Sequence, residues 1–175
     1  AGPAQAAPKP WALNLRYRHE SVDDDAFART AEADTLRLRA TFNHRFDPHW
    51  TAQVEAEGVA ELGDRFNSSA NGQVQYPLVP DARALELNQA WLDWSGDKTG
   101  VRVGRQMLVL DNARFVGNVA WRQNMQTFDS AQLRGKPSKA IEVQALYLDR
   151  VHRINGDEAR DPLARERRLK APLLR

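Results

Sequence analysis

Apolar and polar side chains alternate strictly over three stretches of this chain, and that alternation limits its fold more than any other feature. In the first stretch Trp11, Leu13, Leu15 and Tyr17 interleave with Asn14, Arg16 and Arg18. In the second, Leu36, Leu38, Ala40 and Phe42 interleave with Thr35, Arg37, Arg39, Thr41 and Asn43. In the third, Trp50, Ala52, Val54, Ala56, Ala60 and Leu62 interleave with Thr51, Gln53, Glu55, Glu57 and Glu61. A helix would scatter Arg37 and Arg39 to nearly opposite sides, whereas a strand gathers each set on one face. All three stretches are expected to be strands.

Less regular strands are expected at Leu85 to Trp94, around Val101 and Val103 opposite Arg102 and Gln106, at Phe128 to Arg134, and at Ala140 to Val151. The connections alternate in length. Glu20 to Ala33, Gly63 to Arg83, Leu108 to Thr127 and the stretch after His152 are long; Asp47-Pro48, Ser95 to Lys98 and Gly135 to Ser138 are short. An up-and-down barrel in an outer membrane has this rhythm, with short periplasmic turns and longer outer loops. The expected fold class is therefore all-β, an antiparallel up-and-down transmembrane β-barrel with about seven strands present. Trp11, Trp50 and Trp94 fall near the periplasmic strand ends, where an interfacial girdle would lie.

Composition fits this reading. No apolar run approaches the ~20 residues of a transmembrane helix. The mean hydropathy of −0.64 is no obstacle, because barrel strands alternate lumen and lipid faces. The 175 residues contain no cysteine, which removes disulfides and thiolate metal sites and fits a periplasmic route. The formal charge of +2, with basic residues dispersed, argues against nucleic acid as a partner. Ala1 to Pro8 has the small-residue character left by signal-peptide removal, and equally that of a flexible tail.

Between Gly104 and Asp129 the chain runs Gly104-Arg105-Gln106, then Leu110-Asp111-Asn112-Ala113-Arg114-Phe115-Val116-Gly117-Asn118-Val119-Ala120-Trp121-Arg122-Gln123-Asn124-Met125-Gln126-Thr127-Phe128-Asp129. This stretch strongly resembles the alginate export family of outer-membrane porins, as does the strand from Ala84 to Trp94. The resemblance implies an integral outer-membrane barrel that passes anionic or neutral solutes, a polysaccharide among them, in contact with outer-membrane lipid. It does not imply that alginate is the cargo.

On chemistry alone, this loop has the polar groups a constriction needs to replace part of a solute's hydration: Asp111, Asn112, Arg114, Arg122, Asn124 and Asp129, with Arg105 at its approach. The same groups could instead pair with one another and hold the loop to the wall. If the apolar faces meet lipid, then Arg16, Arg18, Arg37, Arg39 and Arg102 face the lumen. With Glu55, Glu57 and Glu61 beside them they could form an anion-attracting ladder or a set of cross-strand ion pairs. The expected arrangement is mixed, paired at the edges with an arginine excess that biases selectivity.

A catalytic site is not expected. His19, His44, His49 and His152 lack partners at ligand spacing, Asp23-Asp24-Asp25 lacks calcium-loop spacing, and no glycine loop follows a strand to cradle phosphate. No cofactor is expected either.

Residues 1–10 are expected to be a flexible segment, 11–151 the N-terminal portion of the barrel, and 152–175 a loop and basic tail in which Leu169 to Leu174 opens a next strand. Seven strands cannot close a barrel of this type, so an incomplete barrel from a longer porin is expected. Two alternatives remain at this stage. One is a closed eight-stranded barrel; the other is a soluble periplasmic or surface β-fold that binds a ligand and has an apolar interior with a polar exterior.

Overall fold

A computed structural model describes residues 10–175. The expectation of a flexible segment at 1–10 lies, apart from Pro10, outside the described residues. Eight strands follow in chain order: β1 (Trp11–Val22), β2 (Ala31–Arg45), β3 (Trp50–Glu61), β4 (Ala84–Ser95), β5 (Thr99–Gln106), β6 (Thr127–Gly135), β7 (Val143–His152) and β8 (Glu166–Leu174). A single helical turn, α1 (Pro162–Arg165), precedes β8. Among the described residues no helix is long and apolar enough to cross a membrane, which has no bearing on crossing by strands.

Every strand pairs antiparallel with its neighbour in sequence, in the order β1-β2-β3-β4-β5-β6-β7-β8. Among the described residues β1 and β8 do not pair with each other. The sheet is therefore open, an incomplete up-and-down barrel rather than a closed eight-stranded one. The strand number differs from the expected seven, because β8 occupies what the sequence suggests is mostly tail. Its alternation is broken where the β7–β8 register shifts near Leu148 and Arg150, and Lys170 takes a positive φ of 50° there. Pro172 lies opposite Tyr147 in the β7–β8 ladder.

The two faces differ in polarity. The face carrying Leu13, Leu15, Leu38, Val54, Leu85 and Val103 is exposed, with Leu13 at 75% and Leu15 at 67% of their full accessible area. The opposite face is polar and covered: Thr35, Arg37, Glu55, Glu57, Gln89 and Asp93 are buried. Residues 62–83 and 107–126 fold onto this second face, which is the inner one. A soluble β-fold needs the reverse distribution, with its apolar face covered and its polar face outside.

A β-bulge accounts for the irregularity of β4. Glu55 pairs with Gln89 and Ala56 with Leu87, which leaves Asn88 as an extra residue. The outward row therefore changes phase, from Leu85 and Leu87 to Ala90, Leu92 and Trp94. The bulge brings Asn88 and Gln89 to the same face, where both donate to Glu55 Oε1, at 2.7 and 3.0 Å.

Strands β1 and β2 also extend further than expected, shortening the first long loop to residues 23–30. The alternation of hydropathy stops before the ladder does, since Ser21 pairs with Glu32 and Val22 with Ala31. Outward positions there are His19, Ser21, Glu32 and Asp34, linked by Tyr17 Oη donating to Asp34 at 2.5 Å and Ser21 Oγ to Glu32 at 2.9 Å.

Candidate functional site

The candidate site is the inner face together with the two loops folded onto it. Loop 62–83 is seated by apolar contacts, with Phe66 and Val79 completely buried against Ala31 and Ala33 of β2. Small alanines at these inward positions leave room for the loop. The segment 107–126 is held at two places. Its first part packs Leu108 and Val116 onto Phe128, Leu146, Leu148 and Val151, an apolar patch on the inner side of β6 and β7. Its second part, residues 120–124, meets β1 and β2 mainly through hydrogen bonds and ion pairs, with the Trp121 ring against the Arg18 guanidinium.

Arg16 donates from Nη1 to the carbonyls of Ala120 and Arg122, at 3.2 and 3.0 Å, and from Nη2 to that of Trp121 at 2.7 Å. Arg37 and Arg39 donate to the Gln123 carbonyl at 3.2 and 3.4 Å. Gln123 is fully buried, and its Nε2 donates to Thr35 Oγ1 at 2.9 Å. Arg122 Nη1 reaches Glu20 at 3.0 Å, and its guanidinium lies 3.8 Å from the centre of the Trp121 ring. Burial lowers the Arg122 pKa from its ordinary value, while Glu20 and Asp81 pull it back up. Asn124 donates to Glu86 of β4 at 3.2 Å. The loop thus lies across the inner face from β6–β7 to β1–β2.

The wall has its own ion pairs. Arg39 binds Glu57, whose side chain is 1% exposed, and Arg37 Nε lies 3.9 Å from the same carboxylate. Asp93 accepts from Arg102 at 2.8 Å and from Arg134 at 2.6 Å, joining β4, β5 and β6. Arg102 also covers the Trp91 ring at 3.9 Å. Arg37 and Arg39 thus pair with Glu57, and Arg102 with Asp93, across neighbouring strands, whereas Arg18 pairs with Glu20 on its own strand and with Asp81 of loop 62–83. Arg16 is bound by carbonyls.

Of the residues singled out from sequence, Arg16, Arg18, Arg37, Arg39, Arg122 and Asn124 come together around residues 120–124. Arg102 sits further along the inner wall. Asp111, Asn112 and Arg114 do not join them; they lie at an exposed bend of the same loop, where Asp111 meets Arg175 at 2.9 Å. Arg105 and Asp129 require a correction. They pair with each other at 2.9 Å, in a row with Ala90 and Arg150 that alternation places on the outward face of Val103 and Ala131. The quoted motif grouped them with the loop, but strand parity separates them from Arg102. Gly104 beside them has φ +129°, and a Cβ there would lie 2.2 Å from the Ala90 carbonyl oxygen, so the glycine serves strand approach.

Sequence reasoning missed Asp81, Glu20, Gln123 and Arg134. Asp81 and Gln123 carry no local signal, because their partners are distant in the chain. Arg134 was legible in principle, since it shares parity with Gln132 on the inner face. Among the described residues no group of three or more histidines and carboxylates is arranged to hold a metal.

Among solved structures the chain is similar to a BenF-like porin from Pseudomonas fluorescens Pf-5, with a TM-score of 0.60 and 14% identity. The match covers 83% of this chain and 37% of that porin, so the chain spans well under half the porin's length. At this identity the likeness is one of fold. A comparison with curated proteins gives no match. The model of the alginate export family matches residues 8–158, the greater part of the sequence, and the chain belongs to that family.

Proposed function

We propose that this sequence forms part of the wall and the constriction of an outer-membrane channel for polar and anionic solutes. The observation that carries this reading is the inverted polarity of the sheet, apolar on its exposed face and charged on its covered one. An apolar face of that extent in water would promote aggregation; against hydrocarbon it is the stable arrangement. The outward row turns polar at His19, Ser21, Glu32 and Asp34. Charged side chains facing lipid cost most at mid-bilayer (~2–4 kcal/mol for Arg or Lys, less for Asp or Glu) and least near the interface, so this level suits the outer limit of the hydrocarbon. Trp11, Trp50 and Trp94 suit the other limit.

Inside, Arg16, Arg18, Arg37, Arg39, Arg102 and Arg122 give the wall its positive groups, and the bend at Asp111, Asn112 and Arg114 projects further polar groups from the loop. Glu20, Glu55, Glu57, Asp81 and Asp93 stand among these arginines, which keeps any preference for anions modest. Arg105 and Asp129, on the outward row, have no part in it. A polysaccharide is the bulkiest cargo consistent with the family, and it needs a bore wider than eight strands provide.

Unpaired strand edges cost several kcal/mol per polar group in hydrocarbon, so the free edges of β1 and β8 support completion of the barrel by further strands of a longer porin. The test is gel mobility of the native protein from isolated outer membranes, with and without boiling, followed by reversal potentials in planar bilayers under a salt gradient. A heat-shifted band well above 19.8 kDa with mild anion preference is expected. A soluble species without a heat shift would overturn the channel reading.

A further inference from the structure

Asp81 is a buried carboxylate at the meeting point of three segments distant in sequence. It lies in loop 62–83 beside two anchored apolar neighbours, with Val79 0%, Asp81 1% and Ala82 1% exposed. The Val79 amide donates to the Asn67 carbonyl at 2.9 Å, which fixes the backbone just ahead of it. Its Oδ2 binds Arg18 Nη1 of β1 at 2.5 Å and lies 3.8 Å from Arg122 Nη1; its Oδ1 accepts the backbone amide of Gln123 at 3.0 Å. A buried charge is costly unless it is paired and hydrogen-bonded; Arg18 pairs with Oδ2, but the Oδ1 side keeps its donor only while residue 123 stays in place.

We infer that Asp81 is the positioning residue that latches the loop 107–126 against β1 and so sets the bore of the constriction. The inference rests on the channel reading for its effect on conduction, but not for the latch itself. Without the carboxylate, Arg18 and Arg122 are left to share Glu20, which both already contact. The Gln123 amide loses its charge-assisted acceptor. Residues 120–124 are then left with the contacts of Arg16, Arg37 and Arg39 to their carbonyls and open more readily, while the apolar patch at Phe128 keeps the other part of the loop seated. Loss of one polar latch therefore swings the loop about its apolar anchor instead of releasing it entirely.

The native sequence has no cysteine, so a single reporter can be read cleanly. Met125, 4% exposed beside the latch, is replaced by cysteine, and its maleimide labelling is followed in the membrane-embedded protein. Asp81→Asn, nearly isosteric, is expected to speed labelling by about tenfold or more through local opening. Glu158→Gln, which removes an exposed pair with Arg83, is expected to leave labelling unchanged. Arg122→Gln provides a second route to the open latch if the Asp81 variant fails to assemble, as judged by its heat shift. Unchanged labelling in an assembled Asp81→Asn or Arg122→Gln protein overturns the latch. Faster labelling with no change in conductance overturns the control of the bore by the latch, whereas absence of conductance in every form, the unsubstituted protein included, overturns the channel reading.

Discussion

The loop 107–126 is held to the inner face in two chemically different ways. Over β6 and β7 it is seated by Leu108 and Val116 on Phe128, Leu146, Leu148 and Val151. Over β1 and β2 it is held by Arg16, Arg37 and Arg39 donating to backbone carbonyls, and by Asp81 and Glu20 holding Arg122. Apolar seating is non-directional and tolerates small shifts of the loop. The polar attachment fixes individual atoms, because each buried group is costly without its partner. One part of the loop is therefore a hinge and the other a register pin, which suits the constriction role proposed for it.

The largest effect is expected from breaking the apolar half. Phe128→Ala removes the central ring of that patch and should cost about 3–5 kcal/mol, measured as a lowered midpoint for loss of the heat-shifted band. An effect below 1 kcal/mol, on the order expected for an exposed site, would mean that the patch does not anchor the loop. On the polar half, Arg39→Ala strips the main ion partner from Glu57, a carboxylate buried in the wall. The expected cost is on the order of 3 kcal/mol, and replacing both residues by apolar ones of similar volume should recover most of it. Failure of the double replacement to recover stability would show that the pair itself, rather than the orphaned charge, accounts for the loss.

A turn remote from both attachments gives a pH control. The Asp47 carboxylate, in the β2–β3 turn, accepts the amides of His49 at 2.7 Å and Trp50 at 2.9 Å, and these bonds hold its pKa below the usual carboxylate value. A depressed pKa contributes stability that is present above the unfolded value and lost as pH falls through the folded one. The His49 and Trp50 amides should therefore stay protected from hydrogen exchange through neutral and mildly acid pH. They should lose that protection only below the ordinary carboxylate range, without movement of the loop 107–126. Opening of the turn near neutral pH would contradict this. The smallest effect is expected at the exposed Arg83–Glu158 pair, 3.5 Å apart, where Glu158→Gln should change stability by less than about 1 kcal/mol. A larger loss would mean that surface pairing contributes to seating loop 62–83.

Much of the wall was legible in the sequence, because period-two alternation is set by pleat geometry and needs no distant partner. Strands β1, β2 and β3 follow from it directly. The strand ends at Ser21 and Glu32 did not, since alternation in hydropathy reports which residues meet an apolar medium and the hydrogen-bonded ladder runs past that level. Strand β4 was legible at Leu85 to Trp94, but the Asn88 bulge made its alternation irregular, because one inserted residue inverts the parity of everything after it. For β8, the shifted register and the positive φ of Lys170 had the same effect.

In the candidate site, residue types were more legible than pairings. The inward arginines could be assigned from parity, whereas the contacts of Asp81 with Arg18 and of Gln123 with Thr35 join positions far apart in the chain. Arg105 and Asp129 show the opposite error. A motif read as one unit joined residues that the strands place on opposite faces.

The central claim is the assignment of faces, and β4 tests it most directly because its outward row changes phase. Single cysteines at successive positions from Leu85 to Trp94, carrying a fluorophore in the membrane-embedded protein, would be exposed to a quencher confined to the lipid phase. The account predicts quenching at Leu85 and Leu87, protection at both Asn88 and Gln89, and quenching again at Ala90, Leu92 and Trp94. A single unbroken alternation through Asn88, or quenching at Glu86, Gln89 and Asp93, would contradict it.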